Sequence, residues 1–131
     1  MIQSQPNKYL ENSIQTASPA QLLVMLCDGA IRFCKLSIED IRKNDITAAH
    51  NHIFKVQDII SEFVITLDQS LPIAKDLLRL YDYLIYRLIQ ANTKKEIEPL
   101  EEVLGYLQEF KETWIQAAKI VNSQRSGIQH G

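Results

Sequence analysis

The sequence predicts an all-α protein, an antiparallel four-helix bundle with an N-terminal arm or short extra helix. Apolar residues recur at helical spacing over four long stretches, at about 18–43, 46–68, 72–91 and 98–124. Short polar or proline-containing segments separate these stretches, so successive helices should run antiparallel. No run of alternating β-branched residues predicts a strand.

The chain has 131 residues, which is the usual size of one domain. Residues 1–17 are polar with scattered apolar positions, and we expect them to form a mobile N-terminal arm. The bundle domain is predicted to cover residues 18–124. Gly127 is expected to stop the last helix, which leaves residues 125–131 as a disordered tail.

The starts of the first two helices carry recognisable capping residues. Ser18, Pro19 and Gln21 form an S-x-x-Q capping box with proline at the first helical position. Asp45 is placed to cap the second helix. These signals predict helix starts close to residues 19 and 46.

Each helix has an apolar face that is expected to form the core. Eight residues represent the predicted interior, and they are Leu26, Phe33, Ile60, Phe63, Leu84, Leu88, Leu107 and Trp114. On the third helix the apolar arc extends to Ile89 and spans roughly 180°, whereas an outer helix needs a stripe of about 100°. The helices therefore carry more apolar surface than their core requires.

The excess consists of residues that lie beside the core faces on a helical wheel. They are Val24, Ile31 and Ile38 on the first helix, Phe54 and Ile65 on the second, and Tyr83 and Tyr86 on the third. Apolar side chains that the core does not need are typical of a surface that binds a partner. We therefore interpret these seven residues as partner-binding.

Composition excludes several classes of function. The formal net charge is −2, with 14 basic and 16 acidic residues, and no basic cluster predicts nucleic-acid binding. No apolar run approaches the roughly 20 residues of a membrane span, and the start lacks a signal-peptide pattern, which predicts a cytoplasmic protein without membrane insertion. Cys27 and Cys34 lie seven residues apart on one helix, too far for a disulfide, and are expected to be small buried or half-buried apolar residues.

The sequence contains no constellation that predicts catalysis, a cofactor or a metal site, so we expect a protein that is not an enzyme. His50 and His52 point in different directions on one helix and cannot share a metal. A histidine phosphotransfer bundle remains an alternative, because Lys55 follows His52 at the spacing of that motif. Val56 replaces the glycine of the motif, and we expect a solvated His50 and a packed or capping His52.

Two glycines interrupt helical patterns. Gly29 and Gly105 each cost about 1 kcal/mol relative to alanine within a helix. A close backbone crossing is the usual reason for such a glycine, and it is expected at both positions.

The residues also match a known family. The segment YLENSIQTASPAQLLVMLCDGAI from Tyr9 resembles the start of the FliS family of flagellin-specific export chaperones. HNHIFKVQDIISEF, LYDYLIYRLIQAN and LEEVLGYLQEFKETW continue the resemblance in order, over roughly residues 9–118. One departure is Cys27, where the family commonly has tyrosine; it is expected to lie beside the second stripe of the first helix.

The resemblance implies a cytosolic chaperone that binds the disordered C-terminal segment of flagellin as helices on the outside of the bundle. It also implies delivery of flagellin to the export apparatus. The arm residues Tyr9, Leu10 and Ile14 are expected to cover part of the binding surface when flagellin is absent. A third interpretation, a structural homodimer closed by the second stripes, also stays open.

Overall fold

The part of the chain that the structure describes forms four α-helices. A computed structural model describes residues 18–130, with the side chains of residues 18–120. The helices are α1 (Pro19–Arg42), α2 (Ile46–Thr66), α3 (Ala74–Lys94) and α4 (Glu98–His130). The predicted all-α fold is confirmed, and the described part of the chain contains no strand. The predicted arm at residues 1–17 lies outside the described residues.

The predicted caps are present at the first two helices. At α1, the Ser18 hydroxyl accepts a hydrogen bond from the Gln21 backbone N–H, and the Ser18 N–H donates to the Gln21 side chain. At α2, the Asp45 carboxylate accepts from the Ala48 N–H at 3.2 Å. Each cap satisfies backbone donors that the first turn of a helix leaves free, which explains why these helices begin where the sequence predicts.

The helices form a closed ring. α1 packs on α2 and α4, and α3 also packs on α2 and α4. Short connections join consecutive helices, so they alternate in direction, as expected for an up-and-down bundle. Because α3 has less extensive packing than α1, more of its side surface remains uncovered.

Each helix contributes three fully buried side chains to a continuous core. These are Cys27, Ala30 and Cys34 from α1, Ile53, Val56 and Ile60 from α2, Leu84, Leu88 and Ala91 from α3, and Leu100, Val103 and Leu107 from α4. Five of the eight predicted core residues are buried. Leu26, Phe33 and Trp114 are half-buried instead, since they pack against the core from outside it.

Two predictions about α4 are wrong. The helix continues to His130, beyond the expected end at residue 124, and Gly127 does not stop it. One glycine costs only about 1 kcal/mol, whereas each added residue of a helix gains a backbone hydrogen bond. Gly105 is also not at a backbone crossing, because a Cβ built there meets no atom within 4 Å. At Gly29 the nearest atom is the side-chain Cδ1 of Ile59, at an ordinary contact distance of 3.5 Å.

A search of the described helices for a membrane span finds none that is both long enough and apolar enough.

Candidate partner-binding surface

The largest exposed apolar side chains on α2 and α3 include both predicted and unpredicted positions. Phe54 is 48% exposed and Ile65 is 73% exposed on α2. On α3, Tyr86 is 60% exposed and Ile89 is 50% exposed. The core of the bundle does not cover these apolar side chains, so they are candidates for contact with another molecule.

Phe54 and Ile89 line one groove between α2 and α3. The groove encloses about 390 Å³, and its lining residues are His50, Phe54, Gln57, Ile89, Asn92 and Thr93. No lysine, arginine or carboxylate lies in this lining. The groove therefore combines two apolar anchors with uncharged hydrogen-bonding groups, the composition that suits an amphipathic helix of a partner.

The polar side of the groove is organised by contacts across the two helices. His50 Nδ1 lies 3.2 Å from Asn92 Oδ1, and the His50 ring lies 5.0 Å from the Phe54 ring. Lys95 Nζ donates a hydrogen bond to the same Asn92 oxygen. His50 is exposed, as predicted, but its ring is oriented by these neighbours rather than free in solvent.

A second, smaller pocket lies at the end of the bundle where α1 and α3 begin and α2 ends. It encloses about 250 Å³ and is largely apolar. Its lining includes Leu23, Phe63, Leu67, Leu71 and Trp114. The pocket adjoins the start of α1, so it lies next to the point where residues 1–17 join the bundle.

The predicted stripe on α1 is not an exposed surface. Ile38 is only 6% exposed and belongs to the core, so its placement outside the inward face is wrong. Val24 and Ile31 are half-buried, and Ile31 packs against the core. α1 contacts two neighbouring helices extensively, which covers side chains that a single helical wheel leaves outside. Cys27 is also fully buried, so it does not lie on this stripe's surface.

Tyr83 is exposed but already has a partner within the bundle. Its hydroxyl donates to Glu102 Oε1 at 2.6 Å, and Arg87 Nε donates to the same oxygen at 2.9 Å. The hydrogen bond that Tyr83 donates to Glu102 lowers the pKa of the Glu102 carboxyl and raises the pKa of the Tyr83 hydroxyl. Tyr83 therefore helps to join α3 to α4, and it lies on the other side of α3 from the groove.

His52 is packed, as predicted. Its Nδ1 lies 2.5 Å from Asp40 Oδ2 on α1, and its ring stacks on Phe33 with centroids 5.9 Å apart. Val56, at the glycine position of the phosphotransfer motif, is fully buried. One ring nitrogen of His52 and one face of its ring are therefore engaged within the bundle.

The cysteines are buried and free, as predicted. Cys34 Sγ donates to the Leu100 carbonyl oxygen at 3.2 Å, and burial raises the pKa of this thiol to about 12. Burial also raises the pKa of Cys27 to about 12. In the part of the chain that the structure describes, no group of three or more His, Cys, Asp or Glu residues is arranged to hold a metal.

The structure brings together only part of the predicted site. Phe54 lies in the groove, and Tyr86 is one turn from Ile89 on α3. Tyr9, Leu10 and Ile14 lie outside the described residues. Reasoning from sequence did not assign Ile89 or His50 to the binding surface. The excessive width of the apolar arc on α3 was a signal that residues at the edge of this arc had to be exposed.

Comparison with known proteins identifies the family. The sequence model described as flagellar protein FliS matches residues 1–121. The flagellar secretion chaperone FliS of Bacillus subtilis is 34% identical over 126 residues, covering 96% of this chain and 95% of the relative. The protein of the same name from Salmonella typhimurium is 35% identical over 120 residues, covering 89% of each chain. That from Vibrio cholerae is 28% identical, covering 82% of this chain and 80% of the relative. This chain belongs to the FliS family, which is a family of flagellar secretion chaperones and not of enzymes.

Proposed function

We propose that this chaperone acts in the cytoplasm and binds the C-terminal segment of flagellin, with a helix of that segment in the groove between α2 and α3. Binding keeps flagellin unpolymerised until the export apparatus receives it. The observation that carries the proposal is the exposure of Phe54 and Ile89 on the two sides of one groove that contains no charged side chain. The similarity to named flagellar secretion chaperones supports the flagellar role.

The groove has the properties that helix recognition requires. A partner helix places residues three or four apart along one face. Such residues can contact Phe54 on the α2 side of the groove and Ile89 on its α3 side. Tyr86 and Ile65 extend the apolar surface along α3 and α2 beyond the groove itself. A segment that folds on binding loses conformational entropy, so it must bury a large area, and these flanking side chains provide it.

Val24 and Ile31 on α1 remain candidates for a second contact, because both are partly exposed. We do not include Ile38 in the binding surface, since its side chain is buried in the core. We place Tyr83 outside the groove, on the side of α3 that faces α4, because its hydroxyl donates to Glu102. We propose that Tyr9, Leu10 and Ile14 cover part of the surface in the free chaperone.

Circular dichroism provides the test of this function. The C-terminal segment of flagellin from the same bacterium is titrated with the chaperone, and the spectrum of the mixture is compared with the sum of the separate spectra. We expect a gain in helix signal that saturates at one segment per chaperone. No gain, together with no change in the mass of the chaperone by light scattering, would contradict the proposal. A stable dimer of the chaperone alone would favour the structural homodimer.

A further inference from the structure

We infer that His50 is a specificity-determining residue of the α2–α3 groove, which accepts a hydrogen bond at Nε2 from an uncharged donor on the bound helix. This inference rests on the proposed function and deepens it. It makes binding dependent on pH, because protonation of His50 removes the acceptor.

The neighbours of His50 determine which ring nitrogen carries its proton. Lys95 Nζ donates to Asn92 Oδ1, and an ammonium group can only donate. The atom facing both Lys95 and His50 is therefore the amide oxygen of Asn92 and not its NH₂ group. Since His50 Nδ1 lies 3.2 Å from that oxygen, Nδ1 must be the donor.

The tautomer of neutral His50 follows directly. With the proton on Nδ1, the opposite nitrogen Nε2 is an acceptor. His50 lines the groove together with Phe54 and Ile89, so a helix that fills the groove meets this imidazole. In neutral His50, the Nε2 atom is therefore a hydrogen-bond acceptor available to that helix.

Charge on the rim of the groove restricts the donor. The ammonium group of Lys95 shares an acceptor with His50, so a lysine or arginine of the partner would face a like charge there. A carboxylate of the partner has no proton to donate to Nε2. The remaining uncharged donors are the hydroxyl of serine, threonine or tyrosine, the amide of asparagine or glutamine, and the indole N–H of tryptophan. We assign the occupant as a helix with an apolar face that carries one such side chain.

Acid replaces the neutral acceptor at His50 with a positive charge. Histidine changes charge between about pH 5 and 8, and the protonated ring donates at both nitrogens. None of the residues lining the groove is a carboxylate that could pair with the imidazolium, and Lys95 adds a like charge. A bound helix would then enclose an unpaired charge next to Phe54, which is unfavourable. Binding should therefore weaken as the pH falls.

The test measures the affinity of the flagellin C-terminal segment at pH 8.0 and pH 5.5 for the wild type and two variants. His50→Gln keeps an uncharged acceptor at both pH values, whereas His50→Phe keeps a ring against Phe54 and has no acceptor. We expect the wild type to lose about tenfold in affinity at pH 5.5, because the bound helix then encloses a positive charge on His50 next to the like charge of Lys95. His50→Gln should bind equally at both values, and His50→Phe should bind more weakly than the wild type at pH 8.0.

Two controls separate this inference from the function on which it rests. His52→Gln should keep the pH dependence of the wild type, because His52 faces Asp40 and not the groove. If Phe54→Asp abolishes binding, either of two results would refute the role of His50 and leave the proposed function intact. One is a pH dependence of His50→Gln equal to that of the wild type. The other is normal binding by His50→Phe at pH 8.0. If Phe54→Asp binds normally, the groove is not the binding site, and both proposals fail.

Discussion

His52 on α2 and Asp40 on α1 are joined by a contact of 2.5 Å between Nδ1 and Oδ2, and both side chains are largely buried. The pair lies beside Phe33, whose ring stacks on the imidazole. This relationship makes His52 a residue that joins two helices of the bundle.

Replacement of His52 should therefore affect stability and leave binding intact. His52→Ala removes the partner of a half-buried carboxylate, which costs about 1–3 kcal/mol. Urea denaturation would measure this loss, and titration with the flagellin segment should give an affinity within twofold of the wild type. Phosphate that is acid-labile and disappears in His52→Ala would contradict the structural role.

Substitutions in the core test the packing of the bundle. Leu84 is fully buried on α3, and Leu84→Ala should cost about 2–5 kcal/mol because it leaves a cavity. Leu36→Ala on the exposed side of α1 is the matched control and should change stability by less than about 0.5 kcal/mol. Equal losses for the two variants, measured by thermal or urea unfolding, would mean that the assigned faces are wrong.

Gly105 offers a substitution that should stabilise the protein. A Cβ at this exposed helical position meets no atom within 4 Å, so alanine fits without strain. Gly105→Ala should raise the free energy of unfolding by about 1 kcal/mol, the difference in helix propensity. The midpoint of urea denaturation should increase with an unchanged slope. A lower midpoint would show that this position needs glycine for a reason other than space.

The buried thiols should make stability fall at alkaline pH. The pKa of Cys34 is raised from 9.0 to about 12 in the folded protein, so the folded state holds this proton more tightly than the unfolded state. Its contribution is fully present below pH 9 and is lost as the pH rises towards 12. Cys34→Ala should therefore lose less stability than the wild type between pH 8 and pH 10.5. Burial also raises the pKa values of Cys27 and Tyr81 to about 12, so the stability of Cys34→Ala should still fall in part as the pH rises. If the stability of the wild type and of Cys34→Ala falls equally with pH, the buried Cys34 thiol does not cause the loss.

Local signals in the sequence were sufficient for most of the fold. Capping at Ser18 and Asp45 depends on residues three positions away, so the starts of α1 and α2 could be predicted closely. The end of α4 could not be predicted from Gly127, because the cost of one glycine is small compared with the helix that surrounds it.

The candidate site was less accessible to prediction. A helical wheel describes the directions around one helix, but it does not say which neighbours cover each direction. Ile38 is covered because α1 packs extensively on both α2 and α4, whereas Ile89 is exposed because the side of α3 facing the groove is not filled. The orientation of His50 depends on Asn92, in the last turn of α3, and on Lys95, which follows the end of α3, and both are distant from His50 in sequence.

The most direct test of the groove compares two apolar residues of similar exposure, one inside the groove and one outside it. Phe54 lies in the groove, whereas Ile120 is 58% exposed on α4 and does not line it. Because both side chains already contact water, Phe54→Asp and Ile120→Asp should melt within a few degrees of the wild type.

The dissociation constant of the flagellin C-terminal segment, measured by calorimetry, is the deciding quantity. Loss of one central apolar anchor typically costs about 2 kcal/mol or more, so Phe54→Asp should weaken binding by more than about thirtyfold. Ile120→Asp should bind as the wild type does. Normal binding by a folded Phe54→Asp would contradict the assignment of the groove between α2 and α3 as the flagellin site.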